Sequence, residues 1–310
     1  MTATASPFAP ARIEIVEVSP RDGLQNEKTP VSTADKLALI DRALAAGVRR
    51  IEATSFVNPR AVPQMADADA VAAGLPERDD VTYIGLVLNL RGAERALATG
   101  RIDQLGAVAV ASDAFGIANQ GMSSADSVAS ARAIIDAAKA AGKSAQATIA
   151  VAFGCPFSGE VSDDIVLEAV AGLIAASPCE IALADTIGVA DPARVARLVA
   201  ATRALAGAIP VRVHFHNTRG TGLANVWAAI GAGASVVDAA IGGLGGCPFA
   251  PGAAGNVATE DVVYMLERAG VRTGLDLDAL IAANRWLAPV VDKALPAMVA
   301  RAPHFPRDKA

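Results

Sequence analysis

The chain has 310 residues, of which 53% are hydrophobic and only 4% aromatic, so its core must consist mainly of Ala, Val, Leu and Ile. Its 27 Lys and Arg against 32 Asp and Glu give a net charge of −5, which argues against the broad basic face of a nucleic-acid-binding protein. A chain of this length can fold without disulfides, and it has the size of one α/β barrel with a short extension.

Short β-branched segments alternate with alanine-rich helical segments along the chain, which predicts a parallel sheet. The predicted strands cover residues 13–18, 50–53, 81–87, 104–111, 145–152, 180–184, 211–216 and 235–240. The predicted helices include residues 33–46, 123–141, 163–176, 192–206, 222–232, 260–269 and 276–299. Eight repeats predict closure into a (β/α)₈ TIM barrel. An open doubly wound sheet is the alternative, but its glycine-rich phosphate fingerprint does not follow the first strand.

We expect one catalytic domain over residues 1–310, with the barrel at about 12–270 and a C-terminal helical extension at about 271–303. The uncharged run 239–259 contains six glycines and two prolines, so we interpret it as a buried strand and a loop rather than a membrane helix. The first residues lack the pattern of a secretory signal, and three cysteines cannot all pair. These features predict a protein of the reducing cytoplasm.

Uncommon polar residues follow five of the predicted strands at their carboxyl ends, where barrel enzymes carry their catalytic groups. Glu52 ends the second strand. The other four segments are SPRDGLQNEK after the first strand, ADTIG at the sixth, HFHNTRG at the seventh and GGLGGCPFAPGAAGN after the eighth. Because these ends meet at one rim of a barrel, we expect a single active site there.

His214 and His216 are two of the three histidines of the chain, and they are two residues apart on a predicted strand. Residues at that spacing point to the same face, so both imidazoles are expected at the barrel mouth. Asp22 offers a charged oxygen ligand and Asn256 a neutral one. Two imidazoles with carboxylate and amide oxygens suit Mn²⁺ or Mg²⁺, and open positions on the ion would accept substrate oxygens.

Other residues of these segments are candidates for catalysis. Arg21 is a permanently charged donor that can stabilise an enolate oxygen, and Glu52 can pair with it to hold it in place. Asp185 either positions groups around the metal or caps the helix that follows. Cys247 lies in a glycine-rich loop at the rim, where a thiol can act as an acid or a base. Cys179 precedes the sixth strand at the opposite end of the barrel, which predicts a structural role.

Five segments carry a resemblance to a known family. They are VEVSPRDGLQNEK (16–28), IEATSFVNPRAVPQMAD (51–67), ADTIG (184–188), HFHNTRG (214–220) and GGLGGCPFAPGAAGNVATEDVVYML (242–266). Together they resemble the 3-hydroxy-3-methylglutaryl-CoA lyase family, within the wider group of metal-dependent barrel lyases and Claisen-type synthases. The resemblance implies the metal ligands Asp22, His214, His216 and Asn256, the catalytic residues Arg21 and Cys247, the supporting acids Glu52 and Asp185, and Gln25 near the site.

The implied reaction is a retro-Claisen cleavage of a 3-hydroxyacyl-CoA to an acyl-CoA and a ketoacid, which for the namesake substrate are acetyl-CoA and acetoacetate. The resemblance implies that the metal acidifies the C3 hydroxyl and that a base, Asp22 or His214, takes its proton. Lys28 and Arg91 are candidates to bind the CoA phosphates, although either is equally well explained as a solvated charge. We expect a small-molecule acyl-CoA as partner, no nucleic acid or membrane, and a homo-oligomer, either a dimer or a tetramer.

Two residues beside the histidines depart from the family pattern. Asn217 stands where the family has aspartate and Arg219 where it has tyrosine, so we expect Arg219 close to the metal to affect which acid end is recognised. A Claisen synthase of the isopropylmalate or homocitrate type is the main alternative, but those enzymes usually have a longer C-terminal region and lack the loop cysteine. A metal-dependent aldolase, or a barrel that binds a CoA ester without turnover, are further alternatives.

Overall fold

The computed structural model describes residues 10–246, 255–303 and 305. Eight parallel strands pair in sequence order, and the eighth pairs with the first, so the sheet closes into a barrel. The strands are β1 (Glu14–Glu17), β2 (Arg50–Ser55), β3 (Thr82–Val87), β4 (Gln104–Val110), β5 (Ser144–Ala150), β6 (Ile181–Asp185), β7 (Val211–Phe215) and β8 (Val236–Ala239). The predicted (β/α)₈ TIM barrel is confirmed, and the open sheet is excluded.

Helices cover the outside of the barrel, and most begin and end within two residues of the predicted bounds. They are α1 (Thr33–Ala45), α2 (Ala68–Gly74), α3 (Leu90–Ala98), α4 (Asp113–Gln120), α5 (Ser124–Ala140), α6 (Asp163–Ile174), α7 (Pro192–Ala206), α8 (Gly222–Gly231), α9 (Thr259–Arg268) and α10 (Leu277–Val290). The sequence pattern does not single out α2, α3 or α4, which have nine residues or fewer. None of the helices in the described ranges is long and apolar enough to cross a bilayer.

The last helix is shorter than predicted. Helix α10 ends at Val290 rather than continuing to residue 299, and only a single 3₁₀ turn, Val299–Arg301, follows. Pro289 lies in its final turn, where its ring cannot donate a helical hydrogen bond. Asp292 then takes a left-handed backbone conformation with φ of 52°, which a helix does not tolerate. The prediction of a continuous helix to residue 299 was therefore wrong.

Side-chain alternation divides the strands between two apolar regions. The larger region lies between the sheet and the helices, as expected for a barrel whose strands are covered on their outer face. A small cluster occupies the barrel interior and consists of Val16, Val18, Ile84, Val236 and Ala240. The interior also holds charged side chains, which include Arg50 and Arg212. The barrel interior is therefore partly ionic: contacts among these side chains run from the amino ends of the strands towards the mouth at their carboxyl ends.

Two buried glutamates hold the start of the segment that follows β8. Glu17 accepts hydrogen bonds from the amide of Ile241 at 3.0 Å and from the hydroxyl of Thr259 at 2.7 Å. The carboxylate of Glu260 accepts from the amide of Gly242 at 3.0 Å. Burial raises the pKa of both carboxyl groups, that of Glu260 to about 8. The backbone at the foot of this loop is therefore fixed by acids that are harder to ionise than usual.

The raised pKa of Glu260 makes the stability of the fold depend on pH. Between the ordinary value of 4.5 and about 8, the folded chain binds a proton at this group that the unfolded chain has lost. The free energy of unfolding should therefore fall as the pH rises through this window, by on the order of 5 kcal/mol from this group. Glu260→Gln cannot ionise, so its urea-unfolding free energy should lose less between about pH 5 and about pH 8.5.

Glu94→Gln, at an exposed position of α3, is the matched control and should keep the pH dependence of the parent protein. An identical decline with pH in Glu260→Gln and in the parent would show that Glu260 does not titrate in this window.

Candidate active site

A cavity of about 830 Å³ opens at the carboxyl ends of the strands. The wide helical turn Ser19–Gly23, which follows β1, contributes to its lining, and so does the end of β7. The predicted site residues that line this cavity are Arg21, Asp22, Gln25, Glu52, Arg91, His214 and His216. Segments up to about 200 residues apart in the sequence therefore meet at one mouth because parallel strands place all their carboxyl ends at the same rim.

Asp22, His214 and His216 form a compact group of potential metal ligands. One ligand atom from each lies within 4.8 Å of the others. The Nε2 atoms of His214 and His216 are 3.9 Å and 3.7 Å from Oδ2 of Asp22. Side chains alternate along a strand, so both imidazoles point to the same side. Phe215 between them points to the other side, where it packs against Phe153 in the outer core. The group has the size and composition of a centre for a divalent cation.

Asn256 lies beside this group, and the surroundings of its side-chain oxygen show whether the group fits a metal ion. Its backbone forms a bridge with His216, and its Nδ2 donates to Oδ2 of Asp22 at 2.8 Å and to the carbonyl of Leu244 at 3.0 Å. Its side-chain oxygen is buried and accepts no hydrogen bond within the described ranges. An unsatisfied buried acceptor is costly, and an amide oxygen is a ligand that Mg²⁺ and Mn²⁺ accept. The residues present therefore fit the expected ion.

The carboxylate of Asp22 is held in its charged form. Burial by itself would raise its pKa, but the guanidinium of Arg21, 2.6 Å away through Nη1, and the two imidazoles outweigh that effect. The pKa of Asp22 therefore lies well below its ordinary value. A permanently ionised carboxylate between two histidines supplies the anionic oxygen that a hard divalent cation needs.

A residue that the sequence analysis did not single out, Asp238 of β8, orients one of the histidines. Its Oδ2 lies 3.1 Å from Nδ1 of His214, and its Oδ1 accepts from Nε of Arg212 at 2.5 Å. Burial opposes protonation of His214, but the bond to Asp238 and the charge of Asp22 outweigh it and raise the pKa of His214. A carboxylate on Nδ1 leaves Nε2 for the metal, an arrangement common to histidine ligands.

The signal for Asp238 and Arg212 was present in the sequence. Asp238 is the one charged residue in the apolar run of the eighth predicted strand, and Arg212 is two residues before His214. Alternation along a strand places Arg212 on the face of His214, inside the barrel. A charged residue at an inward position of a barrel needs a partner of opposite charge there. The partner can be identified only when the register of β7 and β8 is known.

Arg21 is held from two sides. Its Nε donates to Oε1 of Glu52, and its Nη1 donates to Oδ1 of Asp22 at 2.6 Å. Glu52 is buried at an inward position of β2, and its carboxylate fixes the guanidinium at the edge of the cavity. The pKa of Arg21 is raised because Glu52 and Asp22 outweigh the cost of burial, so its charge is permanent. The cavity therefore has a fixed cation beside the metal ligands.

Asp185 and Lys28 lie away from the cavity lining. The two carboxylate oxygens of Asp185 accept from the amides of Val189 and Ala190, each at 2.9 Å, and hold the turn that leads towards α7. Burial raises the pKa of this carboxyl group although both amides oppose the effect. Lys28 is exposed. Of the two cations considered for CoA, the structure thus places only Arg91 on the cavity wall.

The two residues that depart from the family pattern bind backbone groups. Arg219 donates from Nη1 to the carbonyls of Ile187 and Gly188 at 3.0 Å and 2.9 Å, and Asn217 accepts from the amide of Gly222 at 3.0 Å. The guanidinium of Arg219 thus holds the turn after β6 and does not line the cavity, and its effect on which acid end is recognised stays a prediction. The proposed catalytic Cys247 lies outside the described residues.

Comparison with known proteins identifies the family. The HMGL-like family model matches residues 12–287. The chain is a member of the HMGL-like family. Like the named members to which it is similar, this HMGL-like protein is a carbon–carbon lyase. The match covers the whole barrel and both ends of the candidate site, from Arg21 and Asp22 to Asn256.

Three relatives show how much of the HMGL-like chain is shared. It is 44% identical to (R)-citramalyl-CoA lyase of Chloroflexus aurantiacus, over 95% of this chain and 96% of that one. It is 40% identical to hydroxymethylglutaryl-CoA lyase of Bacillus subtilis, over 93% and 96%. The solved structure of an HMG-CoA lyase from Acinetobacter baumannii with coenzyme A and 3-methylmalate is 41% identical, covers 99% of both chains and superposes with a TM-score of 0.92.

The assignment of His216 as a ligand has a direct test by calorimetry with Mn²⁺. His216→Ala removes one of three side chains whose ligand atoms lie together. Its Mn²⁺ affinity should therefore fall by more than the roughly 10- to 100-fold typical of changes in the surroundings of a ligand. Asn119→Ala, elsewhere on the cavity wall, is the control and should keep the affinity of the parent. Unchanged binding by His216→Ala would remove His216 from the ligand set.

Proposed function

We propose that the protein is a divalent-metal-dependent lyase that cleaves a 3-hydroxy-3-methylglutaryl-CoA-like thioester by a retro-Claisen reaction to acetyl-CoA and a ketoacid, acetoacetate for the namesake substrate. The observation that carries the proposal is the placement of Arg21 beside Asp22, His214 and His216 in the lining of one cavity. Cleavage of the C2–C3 bond needs a deprotonated C3 hydroxyl and a stabilised thioester enolate, and these residues provide for both charges.

The C3 hydroxyl loses its proton at the ligand group. Asp22, His214, His216 and Asn256 would hold the ion, which when bound supplies a Lewis acid that lowers the pKa of a coordinated hydroxyl. The family resemblance makes Asp22 and His214 the candidates to take the proton. The low pKa of Asp22 makes it a weak base, and His214, whose Nδ1 is engaged by Asp238, can take the proton only at an Nε2 that does not hold the ion.

The enolate oxygen is proposed to bind Arg21. Hydrogen bonds to Glu52 and Asp22 engage Nε and Nη1 and thereby fix the plane of the guanidinium. Arg21 lines the cavity, so its guanidinium can bind an oxygen there, and a fixed cation needs little reorganisation when the negative charge develops. The proton that converts the enolate to the acetyl group is assigned to Cys247 on the strength of the family resemblance.

Coenzyme A is proposed to enter along the rim that carries Gln25 and Arg91. Arg91 is exposed and lines the cavity, so its guanidinium suits a phosphate of the cofactor portion. The complex of the A. baumannii relative with coenzyme A supports this class of ligand. A homo-oligomer and a cytoplasmic location remain predictions from the sequence.

A second candidate substrate is citramalyl-CoA, since the relative with 44% identity is named for it. The two substrates share the C3 hydroxyl, the methyl group and the acetyl-CoA product. They differ by one methylene between C3 and the carboxylate, so the ketoacid is acetoacetate in one reaction and pyruvate in the other. A single methylene typically changes specificity by about 10- to 200-fold, which a panel of thioesters resolves.

The test is cleavage of 3-hydroxy-3-methylglutaryl-CoA, citramalyl-CoA and a longer 3-substituted glutaryl-CoA with Mn²⁺ or Mg²⁺. We expect release of acetyl-CoA, abolished by a chelator, with the highest kcat/KM for the first thioester. Arg21→Lys should lower kcat by about 100- to 1000-fold and change KM little, because it removes an interaction with the developing enolate.

A higher kcat/KM for citramalyl-CoA would establish the second candidate. Absence of cleavage across the panel, together with condensation of acetyl-CoA with a ketoacid, would contradict the lyase assignment and favour a synthase.

A further inference from the structure

A buried arginine that does not line the cavity lies between two parts of the proposed active site. Arg212 is on β7, two residues before His214, and only 1% of its surface is exposed. Its Nε donates to Asp238 at 2.5 Å, its Nη1 to Glu180 at 3.4 Å, and its Nη2 is 3.8 Å from Oε2 of Glu52. One guanidinium therefore contacts three buried carboxylates with three different nitrogens.

Two of these carboxylates lead directly to the active site. Asp238 continues to Nδ1 of His214 at 3.1 Å, and Glu52 continues to Nε of Arg21. The two routes meet at Arg212 beneath the site, and in the cavity itself Asp22 contacts both Arg21 and His214. One cation is thus shared by the partner of a proposed metal ligand and by the partner of the proposed enolate-binding arginine.

We propose that Arg212 is a positioning residue that fixes the orientation of His214 through Asp238 and of Arg21 through Glu52, and so sets the affinity of the metal centre. The proposal rests on the proposed function only for the role of Arg21. Its consequence for metal binding depends on the ligand group alone.

The geometry requires an arginine at this position rather than any cation. A planar guanidinium presents nitrogens in fixed directions and can satisfy carboxylates on several sides, whereas an ammonium is a point charge on a flexible stem. Glu52, Glu180 and Asp238 are all buried. Without the shared cation, these carboxylates would repel one another in a medium that screens charge poorly, and Asp238 would no longer be held against His214.

Arg50 supplies a matched control at the lower end of the same ionic chain. It binds Glu180 at 3.1 Å and Glu14 at 2.8 Å, and it donates to Gln104 at 3.1 Å. Within the described ranges, Arg50 thus contacts one carboxylate that also binds Arg212 but neither of the two that lead to the site. Loss of Arg50 removes a charge from the barrel interior while both routes from Arg212 stay intact.

The experiment measures Mn²⁺ affinity by calorimetry for the parent protein, Arg212→Met, Arg212→Lys and Arg50→Met, each first shown to be folded by circular dichroism. We expect Arg212→Met to bind Mn²⁺ about 10- to 100-fold more weakly and Arg50→Met to stay within about threefold of the parent. Arg212→Lys should fall between them because an ammonium keeps the charge but, on a flexible stem, does not fix the directions of both carboxylates. Equal affinities of folded Arg212→Met and Arg50→Met would overturn the proposal.

Should Arg212→Met fail to fold, Arg212→Lys decides the matter. An affinity at least about fivefold below that of Arg50→Met supports the positioning role, and equality with Arg50→Met overturns it.

The route through Asp238 is tested by a double-mutant cycle. If Arg212 acts on the metal through Asp238, the loss caused by Arg212→Met should largely disappear when it is introduced into Asp238→Asn. Additive losses would overturn this route. Mn²⁺ binding needs no substrate, so the affinities of the variants can be measured even if no thioester in the cleavage panel is cleaved. Failure of the proposed lyase function and failure of the positioning role of Arg212 can therefore be told apart.

The route through Glu52 is tested by kinetics at saturating Mn²⁺. Arg212 does not belong to the cavity lining, so Arg212→Met should lower kcat for a cleaved thioester and leave its KM within about twofold. A raised KM with unchanged kcat would contradict positioning of Arg21, because a substrate-binding defect would then explain the variant.

Discussion

The carboxylate of Asp22 lies between the guanidinium of Arg21 and the imidazoles of His214 and His216, and the rest of the site depends on that contact. Arg21 keeps the carboxylate ionised in spite of burial. The ionised carboxylate in turn compensates the positive charge of Arg21, which would otherwise be costly inside the barrel mouth. This ion pair thus offers an anionic ligand, Asp22, to a divalent metal ion and fixes the guanidinium of Arg21 beside it. A retro-Claisen cleavage needs both positive charges, one for the C3 oxygen and one for the enolate oxygen.

The barrel supports this ion pair through charges buried beneath it. Arg212 contacts Asp238 and Glu52, which hold His214 and Arg21 respectively. Buried ionic groups are expensive unless each has its partner, so the network restricts the orientations of the side chains above it. The turn after β6 is held separately by Asp185, and Arg219 binds the carbonyls of that same turn. Catalytic groups and their supports are therefore provided by different strands around one rim.

Much of the fold and part of the site were predictable from the sequence because they depend on local patterns. Apolar strands between alanine-rich helices identify the eight strands, and the two-residue spacing of His214 and His216 places both imidazoles on one side. Contacts between distant segments were not predictable. The bond from Asp238 to His214 depends on the register of β7 and β8, and the contact of Arg219 with the turn after β6 depends on the course of two loops. The end of α10 depends on the left-handed backbone of Asp292, for which the sequence shows only a nearby proline.

The central claim is that Asp22, His214 and His216 bind one divalent ion. Anomalous diffraction from a crystal of the full chain soaked in Mn²⁺ tests it most directly. The account predicts one strong peak about 2.0–2.4 Å from a carboxylate oxygen of Asp22 and from Nε2 of both histidines. A crystal that binds Mn²⁺ elsewhere in the cavity, with both histidines hydrogen-bonded to protein groups instead, would contradict it.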